Sequence, residues 1–304
     1  MEQKLRRQDI SAVLIAGPTA SGKSALALEM ARDLGGEIVN ADSMQVYGVL
    51  DCLTARPGAS ELEAVPHHLY GHVSPATAYS TGIWLDQATQ AIAGIRSRGA
   101  LPVAVGGTGL YFRALTGGLS DMPAIPDALR TELRARLESG GVEPLHRELA
   151  ALDSEMAARL RPADRQRILR ALEVVRATGR SILEFQGRSG AEIVDPLTAR
   201  CIVLEPDRQV LHARINARFA RMVEDGAIDE VRQLMAMDIP PQHPAMKAIG
   251  VSQLATHLAG RISLDEAVDL ASAATRQYAK RQMTWFRNQL DGRWERMQPE
   301  VIDV

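Results

Sequence analysis

Cysteine is almost missing from this 304-residue chain, which holds only Cys52 and Cys201. Two thiols so far apart exclude a disulfide framework, and a reducing, cytoplasmic compartment is expected. Long apolar runs are missing too. No stretch reaches the roughly 20 residues of a membrane-spanning helix, so no membrane partner is expected. The start, Met1 to Arg7, reads as a lead into a core strand and not as a cleavable signal. Charge of one sign does not dominate: the net charge of −2 gives no global hint of nucleic acid. There is no internal repeat and no low-complexity tract. No exposed apolar stripe argues for self-association, so a monomer is expected. His67, His68 and His72 lack a Cys or a fourth ligand at suitable spacing, which speaks against a zinc site. Cys52 and Cys201 read as packing residues.

Hydrophobic residues make up 46% of the chain, enough for one large core or for a core with a smaller inserted domain. The strongest local signal lies near the N-terminus. An apolar run, Ala12 to Ala16, leads into Gly17-Pro18-Thr19-Ala20-Ser21-Gly22-Lys23-Ser24, and helix formers follow as far as Gly35-Gly36. Strand, glycine-rich loop and helix in that order form a phosphate-binding loop. Backbone N–H groups converge on one spot, where a diphosphate or the phosphates of ATP would fit. Lys23 would reach the outer oxygens, and the Ser24 hydroxyl would hold Mg²⁺.

An ordinary P-loop NTPase also needs an acid at the tip of a second buried strand. The strand candidate Leu101 to Val105 ends instead in Gly106-Gly107-Thr108-Gly109. A carboxylate does follow the strand candidate Glu37 to Ala41, as Asp42. Ligands of open parallel sheets bind beyond the carboxyl ends of the strands, so Asp42 and the phosphate loop are expected to face one crevice. A phosphate site beside a carboxylate, without the standard metal acid, suggests a transferase that uses diphosphate as handle or leaving group.

Residues 10 to 117 alternate between strand and helix patterns, which predicts an α/β fold: a P-loop NTPase-like parallel sheet flanked by helices. After Gly117-Gly118 the pattern becomes helical. Asp121 to Pro126 carries two prolines, Asp127 is the expected N-cap of a helix to Glu138, and further helices follow over 144–152, 154–160 and 164–177. Strand character returns at Ala199 to Leu204, after a linker over Gly187 to Asp195. The predicted organisation is therefore a core of residues 1–117 and 195–304 with an all-helical inserted domain, 118–194. Ser263-Leu264-Asp265-Glu266 is a capping box that opens the last long helix.

Taken together, these residues resemble the tRNA dimethylallyltransferases, or tRNA isopentenyltransferases, over nearly the whole chain. The matching segments are Gly17 to Ser24, Asn40 to Tyr47, Val65 to His68, Gly106 to Tyr111, Arg167 to Val174, Arg218 to Met222, Ala248 to Gly250 and Thr275 to Arg287. Eight motifs in the family's order are highly specific. The chain departs from the pattern at Asp51-Cys52-Leu53-Thr54-Ala55-Arg56-Pro57, where the family has Asp-Ile-Gly-Thr-Ala-Lys-Pro. It departs again at Arg165, where the family has proline, and at Val251, where it has tyrosine.

The resemblance implies transfer of a dimethylallyl group from dimethylallyl diphosphate to N6 of the adenosine 3′ of the anticodon. That amine is a poor nucleophile because its lone pair is delocalised, so a base is needed, and Asp42 is the candidate. Lys23, the loop N–H groups, Mg²⁺ and Arg218 would stabilise the departing diphosphate. Thr108 is expected to touch the reacting groups. Arg218 and Arg221 lie one helical turn apart, and spacing leaves the choice between them open. The base would leave its stack and enter a pocket bordered by Asp42, Ser43, Met44 and Gln45, with the Gln45 amide on a base edge. The anticodon stem-loop would be held by the inserted helices through Gln166, Arg167, Ile168, Leu169 and Arg170, with Arg130 and Lys247 as further contacts. Ile168 and Leu169 must also pack, and Trp285 and Phe286 are read as core.

Two basic clusters fit a polyanionic substrate: Arg161, 165, 167, 170, 176, 180 and 188, and then Arg276, Lys280, Arg281, Arg287, Arg293 and Arg296. Each alone would suit a solvated helix face. Three competing readings remain. An adenylate isopentenyltransferase would need no long basic insertion. A nucleotide or shikimate-type kinase would need an arginine-rich lid. A non-catalytic RNA-binding adaptor gives no reason for Asp42 beside an intact phosphate loop.

Overall fold

The computed structural model describes residues 10–120, 122–186 and 190–299; the readings of Met1 to Arg7, Asp121, Gly187 and Arg188 lie outside them. In chain order the elements are β1 (Val13–Ala16), α1 (Lys23–Leu34), β2 (Gly36–Asn40), α2 (Ala59–Ala64), β3 (His67–His68), α3 (Thr81–Ser97), β4 (Leu101–Gly106) and α4 (Gly109–Leu115). Then come α5 (Asp127–Gly140), α6 (Glu143–Leu152), α7 (Ser154–Arg159), α8 (Arg165–Thr178) and α9 (Ile182–Gln186). Last are β5 (Arg200–Leu204), α10 (Arg208–Glu224), α11 (Ala227–Ala236), α12 (Val251–Leu258), α13 (Leu264–Gln289) and β6 (Trp294–Met297).

The six strands form one parallel sheet in the order β3-β2-β4-β1-β5-β6. Every residue of β1, β2 and β4 is buried, as befits parallel strands covered on both faces, and their apolar runs supply the core. Because β1 is flanked by β4 and β5, the loops that follow β1, β2 and β4 gather at one edge of the sheet. No helix among the described residues is long and apolar enough to cross a membrane.

The chain divides into two compact units, with Gly117–Ala191 as the second. Its return falls before Ile193 and Val194 because both of their N–H groups donate to the Leu115 carbonyl of the first unit. The second unit has its own core, built on Leu133, Leu145, Leu149, Ile168 and Leu172. Within α8 the buried positions 168, 171, 172 and 175 repeat at helical spacing, so one apolar stripe holds this helix in place. The Asp164 carboxylate accepts the Arg167 N–H, and Gly179 ends α8 in the left-handed region at φ 68°. Asp127 is the first helical residue of α5 and not its cap, because Pro126 takes the cap position with φ −57° and ψ 136°. Ser263 caps α13 by accepting the Glu266 N–H.

Candidate active site

The phosphate loop turns sharply between β1 and α1. Gly22 adopts φ 87°, and Ala20 also has a positive φ, 64°. The tip of the loop is held by Gly17 N–H to Gly106 O (3.3 Å) and Ser21 N–H to Pro18 O (3.2 Å). The N–H groups of Gly22, Lys23 and Ser24 find no acceptor among the described residues, so they remain available to an anion. Lys23 Nζ donates to Pro18 O at 3.2 Å. Burial pushes its pKa down to about 8; the Asp42 carboxylate works against that shift and Arg218 adds to it.

Arg218 lies on an α10 stripe with Ile215, Phe219 and Met222, and its guanidinium donates to the Thr19 hydroxyl. Its pKa is lowered to about 10, chiefly by burial, with Asp42 opposing. Arg221 is exposed and does not line the cavity beside Asp42. The structure thus distinguishes the two arginines that spacing left open: Arg218 is the one that faces the loop.

Asp42 stands at the carboxyl end of β2, and its setting is held on every side. The Asn40 side chain accepts the Asp42 N–H (2.8 Å) and donates to the Asp42 carbonyl (3.0 Å). Asp42 Oδ1 accepts the Met44 N–H at 2.9 Å. Oδ2 receives no hydrogen bond among the described residues. Gly106 permits the backbone of Ala41 and Asp42 to pass, since a Cβ there would meet Ala41 C and O at 2.1 Å and Asp42 N at 2.7 Å. The Thr108 hydroxyl accepts the Ser43 N–H at 2.9 Å and lies 3.2 Å from Ser43 Oγ, so it braces the Asp42 loop. Gln282 on α13 joins two loops: its Oε1 accepts the Thr19 N–H (3.0 Å) and its Nε2 donates to Gly107 O (2.9 Å).

Asp42 and Arg218 border a cavity of about 80 Å³. Asp42, Arg218, Tyr278, Thr19, Thr54 and Thr275 supply its polar lining; Met44, Leu53, Ile215, Phe219, Met222 and Ile249 supply apolar walls. Burial, and then the nearby Asp42 carboxylate, push the Tyr278 phenol pKa up. A chain of apolar carbons and a delocalised base would both find contacts here, beside one free carboxylate oxygen and one guanidinium.

Several expected residues take other duties. The Gln45 Nε2 already donates to Thr54 O (2.9 Å) and Ala55 O (2.8 Å), which leaves only Oε1 for a ligand. Ile168 is fully buried in the helical unit, so it supports that unit and cannot touch RNA; Leu169 packs against the same core. Gln166 and Arg167 are exposed, Arg167 beside Asp164 at 3.6 Å, and Arg170 pairs with Glu173 at 3.2 Å. Arg130 pairs with Asp127 at 3.6 Å, and Lys247 is exposed on a short turn in the first unit. Arg176 and Arg180 also hold carboxylates, Glu132 and Glu184, whereas exposed Arg161 and Arg165 pair with none among the described residues. His68 binds Glu37 at 2.7 Å, His67 binds the Val65 carbonyl at 2.8 Å, and His72 binds Gln87 at 2.8 Å.

Sequence reasoning passed over Asn40, Gln282 and Tyr278 as site residues. Asn40 had a usable signal, because an Asx side chain two residues before Asp42 readily accepts its N–H. Gln282 had none.

A phosphate loop opening α1, a carboxylate at the next strand tip and a part-apolar cavity on a P-loop NTPase-like sheet define a transferase class of enzyme. The profile of the IPP transferase family matches residues 45–289, and that of isopentenyl transferase matches residues 10–70. The tRNA dimethylallyltransferase of Rhizobium leguminosarum bv. trifolii is 60% identical over 288 residues, 95% of this chain and 97% of the relative. That of Agrobacterium fabrum is 57% identical over 292 residues, 96% and 98%. Among solved structures, the tRNA isopentenylpyrophosphate transferase of Bacillus halodurans superposes with TM-score 0.67 at 38% identity, covering 95% of this chain and 89% of that one. A eukaryotic dimethylallyltransferase acting on tRNA gives TM-score 0.77 at 28% identity, covering 90% and 69%. The chain is an enzyme of the IPP transferase family.

Proposed function

We propose that the protein transfers a dimethylallyl group from dimethylallyl diphosphate to N6 of the adenosine 3′ of the anticodon in tRNA. The observation that carries this reading is the free Asp42 Oδ2 in a part-apolar cavity shared with Arg218, beside unpaired N–H groups of the phosphate loop. The names of the relatives point the same way: they are tRNA dimethylallyltransferases over nearly the same length.

In the proposed reaction the adenosine leaves its stack and enters the cavity. The N6–C1 bond forms as the bond from C1 to the diphosphate oxygen breaks. The N6 proton goes to Asp42, a base step of a kind that typically contributes about 10²–10⁴-fold. The charge that develops on the diphosphate meets Lys23, Arg218 and the loop N–H groups. The Thr108 hydroxyl keeps Ser43, and so the entrance beside Asp42, in place.

Magnesium fits the loop as a partner of the diphosphate. The Ser24 hydroxyl is exposed and makes no hydrogen bond among the described residues, and no group of three acidic, His or Cys side chains competes there. Mg²⁺ commonly takes one or two protein oxygens and fills the rest with phosphate and water. When bound it would neutralise charge on the leaving diphosphate. The helical unit would hold the anticodon stem-loop through Gln166, Arg167 and Arg170 together with the unpaired Arg161 and Arg165, and the enzyme would work as a cytoplasmic monomer.

A transfer assay tests the reading, with labelled dimethylallyl diphosphate, Mg²⁺, and an anticodon stem-loop, AMP and ATP as parallel acceptors. Label on the stem-loop alone, with the rate lowered by about 10²–10⁴-fold in Asp42→Ala, is expected. Label on a free nucleotide would move the assignment to the adenylate type, and label nowhere from a folded protein would overturn it.

A further inference from the structure

Asn40 ends β2 with its side chain wholly out of solvent, and each polar atom of its amide is occupied. Oδ1 accepts the Asp42 N–H at 2.8 Å; Nδ2 donates to the Asp42 carbonyl at 3.0 Å and to the Leu69 carbonyl at 2.9 Å. Its own carbonyl accepts Trp84 Nε1 at 2.9 Å, and Trp84 stacks on Tyr111 with centroids 3.9 Å apart. One amide therefore grips Asp42 at both its peptide groups and ties it to Leu69, a residue with φ 65°. The grip leaves the Asp42 side chain little freedom. Its backbone is set by Asn40, Oδ1 is set by the Met44 N–H, and Oδ2 is the oxygen that remains free.

Resting on the transfer reaction proposed above, we propose that Asn40 is a positioning residue: it aims the free carboxylate oxygen of Asp42 at the acceptor nitrogen. An Asx bond to the N–H two residues on is common in turns, but here the same buried amide also holds the Asp42 carbonyl, so two of its three bonds go to the residue that takes the proton in the proposed reaction. A misplacement of about 1 Å in a reacting group costs up to about 10²-fold in rate. Release of both Asp42 peptide groups permits a shift of that order.

The experiment is a mutant cycle of Asn40→Ala with Asp42→Ala, read by single-turnover transfer of labelled dimethylallyl to the stem-loop. Donor affinity is measured separately. Asn40→Ala is expected to lower the transfer rate by about 10- to 100-fold at unchanged donor affinity, and to have no further effect once Asp42 is alanine. Asn40→Ser, whose hydroxyl can still accept the N–H two residues on, is expected to fall between Asn40→Ala and wild type. Should the alanine protein fail to fold, Asn40→Asp enters the same cycle: it keeps the size and the acceptor and loses both donors.

An equal loss in both backgrounds would show a general structural role and overturn the proposal. So would an unchanged rate in Asn40→Ala, or a serine variant no better than alanine. If Asp42→Ala itself transfers at the wild-type rate, the failure lies with the proposed base and not with Asn40 alone. If wild type transfers nothing, it lies with the proposed reaction.

Discussion

Two cations face the phosphate loop with a single carboxylate, Asp42, near enough to oppose the cost of their burial, and their acidity follows from that imbalance. Desolvation holds Lys23 at about 8 and Arg218 at about 10, both below their ordinary values. In the proposed reaction the protonated lysine is the form that binds diphosphate, so binding would be strongest well below pH 8 and fade as pH rises through that value. We expect kcat/KM for the donor to fall about tenfold per pH unit above roughly pH 8, since this ratio reports the free enzyme. Lys23→Arg should abolish that limb while lowering the plateau, because a guanidinium stays charged but differs in shape. A flat profile to pH 9 in wild type would contradict the assignment. At the neighbouring arginines, Arg218→Ala should cost about 10²-fold or more in kcat, whereas Arg221→Ala should stay within about twofold. Spacing left the choice between them open. Ile215, Phe219 and Met222 form a stripe that includes position 218 and leaves 221 to the side. That this stripe faces the phosphate loop is a fact of packing.

Local pattern carried far at the scale of elements. The strand, loop and helix at residues 13–34, the helices α5 to α8 and the cap at Ser263 were readable, because each depends on residues within one or two turns, whereas the short α9 was not read. Two strands were not. The two-residue β3 is too short to show alternation, and β6 at Trp294–Met297 has Glu295 and Arg296 at its centre and no apolar run, yet both pair in the sheet. Close approach of backbones was equally hidden. Gly106 looked like one glycine of a turn, but it lets β4 pass the Ala41 carbonyl. Gly106→Ala should therefore cost more than about 2 kcal/mol of stability and lower transfer activity, because a Cβ at 2.1 Å from backbone atoms forces β2 and β4 apart. Denaturant unfolding checks this, and a loss below about 0.5 kcal/mol would show that the strands can relax.

Across the whole molecule, charge decides what the surface offers to a polyanion. Most arginines of the helical unit are held by carboxylates, as at Arg170–Glu173 and Arg176–Glu132, and such exposed pairs add little to stability. Among the described residues, exposed Arg134, Arg147, Arg161 and Arg165 make no such pair, and Arg161 and Arg165 adjoin the 166–170 segment expected to meet the RNA. Replacing both by alanine should weaken stem-loop binding and reduce the slope of log K against log salt by about 0.7–0.9 for each phosphate no longer neutralised. Donor affinity should not change, because the residues proposed to hold the diphosphate, 17–24 and Arg218, all belong to the first unit. An unchanged slope would place the RNA elsewhere.

What the sequence by itself determined were features whose causes lie close together along the chain. These include the strand, loop and helix order of the phosphate loop, the buried parallel strands, the helical character of residues 127–178, and the presence of an acid at a strand tip. Tertiary structure alone decided the strand order, the selection of Arg218, the full occupation of the Asn40 amide and the bridge by Gln282. That bridge joins residues 263 positions apart, and the Thr108 contact to Ser43 spans 65. No periodicity links such residues. They meet because parallel strands place their following loops at one sheet edge, and which loops become neighbours depends on the strand order and not on any local run of residues.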